Sequence, residues 1–227
     1  MIWWEVPGYV VAFTTRVGGV SKAPYDSLNL SRGTGDDPER VEENRRIACE
    51  AIGAPYERLA FNRQVHSPTV HRAEPGMRGA PGDGLWTDEH DLPLLAMSAD
   101  CLPIAVAATD GTPRLAVLHA GWRGLAEGVV GAGVAALGAG PKAAVIGPAI
   151  GPCCYEVGAD VAELYDADLT RDGRLDLWTA AERALRHAGV EQVERVDLCT
   201  RDHSELFFSH RRDGLARGVQ GVIGAIT

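Results

Sequence analysis

The sequence predicts an α+β fold in one domain spanning residues 1–227. Its length fits one large domain, and no linker or low-complexity tract divides the chain. Apolar runs of strand type alternate irregularly with a few helical segments, without the regular strand–helix–strand rhythm of a parallel sheet. Hydrophobic residues form 45% of the chain, so a core can form without disulfides.

The N-terminal part should contain a strand, a long loop and a helix. Residues 1–16 are predicted as a strand because VVAFTTR is rich in β-branched and aromatic residues. Residues 17–37, rich in Gly, Ser, Pro and Asp, are predicted as a loop. A helix should follow, with Asp37 as N-cap, Pro38 in its first turn and Gly53 after its end.

The remainder of the chain should contain several strands and two helices. Apolar runs at 92–109 and 114–121 are predicted as strands, followed by a small-residue helix ending near Gly138 and a buried strand within 142–152. Residues 175–188 form an amphipathic helical pattern closed by Gly189. Three late segments, 195–202, 206–214 and 218–227, are predicted as strands.

Charge and cysteine content exclude several classes of protein. A net charge of −9 argues against nucleic-acid or anionic-membrane partners, which require a broad basic surface. No apolar run approaches the roughly 18 residues of a membrane span, and the N-terminus lacks the basic region of a signal peptide. Five cysteines without a regular framework are typical of a reducing compartment, so a cytoplasmic location is expected.

Three apolar runs each carry one metal-type side chain near the expected end of a strand. They are RQVHSPTVH with His66, LLAMSADCLPI with Cys101, and LAVLHAGWRG with His119. Two imidazoles and one thiolate would leave a fourth zinc position open, which is the catalytic rather than the structural pattern. Their spacing matches no local zinc motif, so this site depends on the fold bringing the three runs together.

Each of these residues also has a simpler interpretation. A histidine ending an apolar run is commonly a hydrogen-bonded structural residue, and a lone cysteine is commonly a small apolar one. Asp100 beside Cys101 would need hydrogen-bond partners if buried. Arg123, in a glycine-flanked turn, could recognise an anion or form a surface ion pair. Cys153 and Cys154 have no gap between them, which excludes a C-x-x-C zinc pair.

A series of motifs resembles the YfiH family, also called the multicopper polyphenol oxidase or laccase-domain family and the peptidoglycan editing factor. These motifs span nearly the whole chain and occur in the family's order: FTTRVGGVS at 13–21, YDSLNL at 25–30, ENR at 43–45, QVH at 64–66, DG at 83–84, SADCLPI at 98–104, HAGWRG at 119–124, IGPAIGPCC at 146–154, LCT at 198–200 and FFSHRRDG at 207–214. Ser67 and His210 depart from the family's usual Gly and Tyr.

The resemblance implies a fold similar to the catalytic domain of cytotoxic necrotizing factor toxins. It also implies a zinc site made by His66, Cys101 and His119. Family members are described as purine nucleoside phosphorylases acting on adenosine, inosine and S-methyl-5′-thioadenosine. Adenosine deaminase and laccase-like activities are also attributed to them.

The leading hypothesis is therefore a zinc-dependent purine nucleoside phosphorylase that uses His66, Cys101 and His119. Its partners would be a purine nucleoside and phosphate, and the protein would be a monomer or small homo-oligomer. Substrate-binding candidates are Arg45, Asp83, Arg123 and Arg211.

Two alternatives remain open from the sequence. Two histidines and a cysteine also suit copper, which would fit a polyphenol oxidase. A metal-free Cys–His hydrolase acting in peptidoglycan editing would instead use Cys101 as its nucleophile.

Overall fold

Two six-stranded sheets lie at the centre of the computed structural model, which describes residues 1–227. The two sheets are mainly antiparallel, and the strands are numbered in chain order. Across the first sheet the order is β1 (Ile2–Val6), β2 (Tyr9–Phe13), β14 (Gln220–Ile226), β7 (Leu94–Ser98), β3 (Ala60–Arg63) and β5 (Arg78–Pro81). Across the second it is β13 (Gln192–Arg195), β10 (Lys142–Ile146), β8 (Leu102–Ala108), β9 (Leu115–Ala120), β6 (Gly84–Thr87) and β4 (Val70–Arg72).

Helices cover the outer faces of both sheets. The first sheet packs against α1 (Pro38–Ala51), and the second against α2 (Trp122–Ala126), α3 (Val129–Ala136) and α5 (Leu177–His187). Short helices α4 (Ala159–Ala162) and α6 (His210–Asp213) and the hairpin β11 (Thr170–Arg171) with β12 (Arg174–Leu175) complete the elements. The result is one mixed domain of helices and strands, in agreement with the predicted single domain that contains both. No helix combines the length and apolar character needed to cross a membrane.

Alternating side chains on β9 show how the layers are held together. Leu115 and Val117 face the first sheet, whereas Ala116 and Leu118 face the helices, and all four are fully buried. Burying one such leucine or valine side chain contributes about 1.5–3 kcal/mol. Because β9 is buried on both faces, His119 near its end is held in a rigid environment.

The predicted helices are found, with small changes at their ends. Helix α1 begins at Pro38, and the Asp37 carboxylate accepts a hydrogen bond from the Glu39 backbone N–H at 2.9 Å. Helix α5 begins at Leu177, two residues later than predicted, because Asp176 caps it by accepting from the Thr179 N–H.

Several strand predictions need correction. Residues 1–16 form two strands, β1 and β2, joined by a turn at Gly8, whose φ is +84°. The run 92–109 also forms two strands, and Cys101 lies in the turn between them. In 195–202 only Arg195 belongs to a strand, and 206–214 contains no strand but the short helix α6.

Candidate active site

The fold brings His66, Cys101 and His119 together at the ends of neighbouring strands. His66 follows β3, Cys101 lies in the turn from β7 to β8, and His119 is the penultimate residue of β9. Strands β8 and β9 pair directly, with Leu102 opposite Ala120, which places the turn at Cys101 beside His119. The pairing of β3 with β7 brings the segment carrying His66 to the same edge.

Distances within this trio suit the binding of one ion. The nitrogen and sulfur ligand atoms of His66, Cys101 and His119 all lie within 4.8 Å of one another. The Cys101 Sγ lies 3.7 Å from His66 Nε2, and the two imidazole rings meet edge to face with centroids 4.9 Å apart. Gly121 makes this approach possible, since a Cβ there would lie 2.6 Å from the His66 ring and 3.1 Å from the sulfur.

Asp83 lies beneath the trio and fixes two of its members. Its carboxylate accepts hydrogen bonds from the backbone N–H groups of Val65, His66 and Ser67 and from the Ser67 hydroxyl. It also accepts from His119 Nδ1 at 2.8 Å, which leaves Nε2 of that ring for the site. Asp83 is only 1% exposed, so its geometry suits the positioning of His66 and His119, while the substrate-binding role predicted for it stays a prediction.

Opposite charges stabilise one another within this group. Burial opposes ionisation of Cys101, but His119 and then His66 outweigh it and lower the pKa of the thiol below its ordinary value. Burial alone would lower the pKa of His119, but the Cys101 thiolate and the Asp83 carboxylate raise it. The two shifts both favour a thiolate paired with an imidazolium when no metal is bound.

Asp100 is buried and fully hydrogen-bonded, as its position beside Cys101 predicts. Its carboxylate accepts from the Thr200 hydroxyl and from the Arg211 backbone N–H, each at 2.6 Å. Its φ of +92° is rare for a residue with a side chain. These bonds hold the turn at Cys101 in a conformation that it would not adopt alone.

The trio opens into a large, positively charged cavity. The cavity has a volume of about 1010 Å³ and is lined by six arginines but only two carboxylates. This lining contrasts with the net charge of −9 for the whole chain. An anionic substrate group would be attracted there. The lining arginines are Arg32, Arg45, Arg63, Arg78, Arg211 and Arg217.

Several polar atoms in the cavity wall lack partners within the protein. Asn62 Oδ1 and Ser98 Oγ are buried without a hydrogen bond, and both residues line the cavity. The same is true of Arg217 Nε, while exposed Arg63 forms no ion pair. Buried polar groups in proteins are nearly always hydrogen-bonded, so these atoms are candidates for hydrogen bonds to a ligand that reaches this wall.

The predicted arginines differ in their placement. Arg45 lines the cavity, but it is 3% exposed and is committed to the Leu30 carbonyl and to Glu42. Arg211 lines the cavity beside the ring of Tyr155. Arg123 is exposed, stacks over Trp122 and does not line the cavity, so the structure does not bring it to the site.

Four residues of the cavity wall were not predicted from the sequence as binding residues: Asn62, Ser98, Arg63 and Arg217. Arg63 and Asn62 end β3 just before the QVH motif, and Ser98 ends β7 just before Cys101. Arg63, Asn62 and Ser98 could have been predicted as binding residues from their position next to the motifs that carry His66 and Cys101. The other histidines lie elsewhere, apart from His210, which lines the cavity.

Known proteins resemble this chain over almost its whole length. A purine nucleoside phosphorylase of Haemophilus influenzae is 35% identical, with 97% of this chain and 96% of that protein aligned. One of Pseudomonas aeruginosa is 40% identical, with 92% and 90% aligned. A crystal structure of a Neisseria meningitidis protein is 36% identical and superposes with a TM-score of 0.89, covering 98% of this chain and 96% of that one.

The family match extends over nearly all of the fold and over the site. Residues 10–226 match the family described as multi-copper polyphenol oxidoreductase laccase, and YfiH proteins are among the relatives. The matched segment includes the three converging residues, the buried aspartates and the arginine-lined cavity. This chain therefore belongs to the laccase-type YfiH family.

Proposed function

We propose that this chain is a metal-dependent purine nucleoside phosphorylase with its active site at His66, Cys101 and His119. The observation that carries the proposal is the convergence of two imidazoles and a thiolate, within 4.8 Å, at a cavity rich in arginine. The relatives named purine nucleoside phosphorylase support the reaction class.

The donor set fits zinc. Two nitrogen ligands and one sulfur ligand match a catalytic zinc site, which takes three protein ligands and keeps one position for substrate or water. Zinc bound by His66, Cys101 and His119 would supply a Lewis acid that polarises a substrate oxygen or nitrogen. The lowered pKa of Cys101 prepares the thiolate, and Asp83 presents Nε2 of His119.

Phosphorolysis requires phosphate to be held next to the sugar. An oxygen of phosphate bonds to the anomeric carbon while the carbon–nitrogen bond to the purine breaks, and the purine leaves with the bonding electrons and takes up a proton. We assign phosphate binding to Arg63, Arg211 and Arg217, whose guanidinium groups can hold its oxygens in position.

The nucleoside would occupy the wall carrying Asn62 and Ser98. Their unpartnered oxygens suit the hydroxyl and amino groups of a nucleoside. Adenosine, inosine and S-methyl-5′-thioadenosine share a purine and the ribose 2′- and 3′-hydroxyls, so recognition through those shared groups would accept all three. Adenosine deamination in the same cavity would be a secondary activity.

The proposal is tested with a nucleoside panel assayed with and without phosphate after elemental analysis of the protein. We expect free base and ribose 1-phosphate to appear only with phosphate, and to disappear in His119→Ala. His187→Ala, which changes an exposed histidine at the end of α5, is the matched control and should retain activity. Base release that ignores phosphate would contradict phosphorolysis and indicate hydrolysis.

One observation favours a second candidate, a cysteine hydrolase acting in peptidoglycan editing. Cys101 Sγ lies within 4.8 Å of a His119 ring nitrogen, and His119 Nδ1 donates to Asp83, which is the order of a nucleophile, a base and an orienting carboxylate. Chelation separates the two proposals. A hydrolase would cleave muropeptides without metal and lose activity with iodoacetamide, whereas the phosphorylase would lose activity on chelation and recover it with zinc.

Copper oxidation has weaker support from the geometry. Copper could bind two histidines and a cysteine. A laccase also requires a trinuclear copper cluster supplied by further histidines. The two groups of potential metal ligands in this protein contain only two histidines between them, His66 and His119. We therefore do not propose polyphenol oxidation as the function of this site.

A further inference from the structure

We propose a second, structural metal site formed by Cys153, Cys154, Cys199 and Asp202, which binds a divalent cation of the zinc class. These four residues place three sulfurs and one carboxylate within 4.8 Å of one another. Cys153 Sγ lies 3.3 Å from Asp202 Oδ2, and Cys154 Sγ lies 3.1 Å from Asp202 Oδ1. None of the four lines the catalytic cavity.

The turn at Cys199–Asp202 has the ligand spacing of a zinc knuckle. Two residues separate Cys199 from Asp202, as in a C-x-x-C unit with a carboxylate in the second position. The N–H groups of Asp202 and His203 donate to the Cys199 carbonyl at 3.2 and 3.1 Å, which closes the turn. Both ligands therefore project from one short, hydrogen-bonded loop.

A backbone hydrogen bond to sulfur gives Cys199 the environment of a metal thiolate. The Gly151 N–H donates to Cys199 Sγ at 3.3 Å inside the protein. Such hydrogen bonds orient a ligand and support its charge. A Cβ at Gly151 would lie 3.2 Å from Cys153 Sγ and 2.9 Å from the Trp178 ring, so the glycine leaves room for the Cys153 sulfur within its own loop.

The dimensions of the cluster suit zinc after a small rearrangement of the ligand side chains. Tetrahedral zinc with bonds of about 2.3 Å to sulfur and 2.1 Å to oxygen separates its ligand atoms by about 3.5–3.8 Å. The sulfur–oxygen distances of 3.1 and 3.3 Å lie just below this range, and all the ligand atoms lie within 4.8 Å of one another. Side-chain rotation of exposed Cys153 and Asp202 can supply the difference.

Four protein ligands define the role of this site. A site with no position left for substrate or water is structural, in contrast to the three-ligand site at Cys101. The adjacent pair Cys153 and Cys154, which cannot form a C-x-x-C unit alone, becomes half of a site because the fold adds Cys199 and Asp202. Cys154 and Cys199 are buried, while Cys153 and Asp202 are exposed and give the ion a route from solvent.

The metal would brace the loops beneath the active site. Thr200, next to Cys199, donates its N–H to the Ala149 carbonyl at 3.1 Å and its hydroxyl to Asp100 at 2.6 Å. Asp100 holds the turn that carries Cys101. Fastening the 149–154 loop to the 199–202 turn would therefore stabilise the position of the catalytic cysteine without contact with substrate.

The test measures zinc and cobalt stoichiometry in a background that lacks the catalytic thiol. We expect Cys101→Ser to retain one tightly bound zinc per chain and to show cobalt–thiolate absorption when loaded with cobalt. Adding Cys153→Ser should abolish that absorption, and adding Asp202→Asn should weaken zinc binding more than about tenfold. Adding Cys49→Ala, which changes a cysteine outside the cluster, should leave both measurements unchanged.

The experiment distinguishes loss of the second metal from unfolding of the protein and from loss of a metal at the catalytic trio. Cys153 and Asp202 are exposed, and circular dichroism checks the fold of each variant. If wild type and Cys101→Ser hold the same single zinc, the second site stands and a metal at the catalytic trio is refuted. The proposal is overturned if reduced Cys101→Ser binds no zinc or cobalt, if Cys153→Ser does not change binding, or if mass spectrometry finds a disulfide within the cluster of the purified protein.

Discussion

Replacing Asp83 with asparagine removes one negative charge from the centre of the site while keeping the shape of the side chain. In the wild type, Oδ2 accepts from the N–H groups of Val65 and Ser67 and from the Ser67 hydroxyl. Oδ1 accepts from the His66 N–H at 3.0 Å and from His119 Nδ1 at 2.8 Å. An asparagine oxygen can replace Oδ2, but its amide nitrogen then faces the two remaining donors.

The expected cost follows from those two bonds. A hydrogen bond to a charged group contributes about 1.5–3 kcal/mol, so losing both would lower the free energy of unfolding by about 3–6 kcal/mol. The His119 ring can avoid half of this loss by moving its proton to Nε2, so that Nδ1 accepts from the new amide. That tautomer points a proton at the site instead of a lone pair, and an error of this kind lowers kcat by about 10⁴-fold.

The assay combines phosphorolysis rates, competitive zinc binding and urea unfolding. Asp172→Asn, in an exposed turn, is the matched control.

The dependence of stability on pH gives a further test of the role of Asp83. Burial would raise the pKa of Asp83, but hydrogen bonds from His119, Ser67 and Val65 outweigh it and hold that pKa far below its ordinary value.

Because the folded pKa is depressed, Asp83 stabilises the fold fully above its unfolded pKa of about 3.9 and loses this effect as pH falls toward the folded value. The wild type should therefore lose stability more steeply below pH 4 than Asp83→Asn. A variant with kcat within tenfold of wild type and unchanged unfolding would refute the positioning role.

Three further predictions concern the site and its surroundings. Gly121→Ala should weaken zinc binding more than about tenfold, because its Cβ would lie 2.6 Å from the His66 ring, whereas Gly131→Ala, with no atom within 4 Å, should leave binding unchanged. In chelated protein, the iodoacetamide reaction of Cys101 should reach half its maximal rate below the usual thiol pKa of about 8.5, and zinc should suppress it. Burial would raise the pKa of Glu42, but a tyrosine hydroxyl and three arginines outweigh burial and lower it. Glu42→Gln should therefore lower the urea midpoint at pH 7. The difference in midpoint between the variant and the wild type should shrink below about pH 4.3. An equal difference at pH 7 and pH 3 would contradict this account.

Ligand chemistry was sufficient to select the residues of the trio but not to show that they meet. His66, Cys101 and His119 follow or end apolar runs, which the sequence displays directly. Their meeting depends on the order β3–β7 in one sheet and β8–β9 in the other. Such pairings are long-range, and no periodicity within a single run encodes them.

The differences between the predictions and the structure have physical causes. Phe207 and Phe208 are both fully buried, and such an apolar pair resembles a buried strand although a helix capped by Ser209 follows. The partners of Asp83 could not be named from the sequence, because its three backbone donors belong to a loop that the sequence does not define. Arg123 was favoured by its glycine neighbours, which serve instead the close approach of α2 to the site.

Backbone strain explains why two buried carboxylates, Asp83 and Asp100, accompany the trio although neither of them is a metal ligand. His66 has φ of +60° and Asp100 has φ of +92°, conformations that cost about 1–3 kcal/mol each for residues with side chains. Asp83 holds the first through three consecutive backbone N–H groups, and Asp100 is itself held by Thr200 and Arg211. Hydrogen bonds to a charge contribute about 1.5–3 kcal/mol each, enough to offset that strain. The protein therefore orders its ligand atoms during folding, so the free energy of ion binding need not be spent on arranging them.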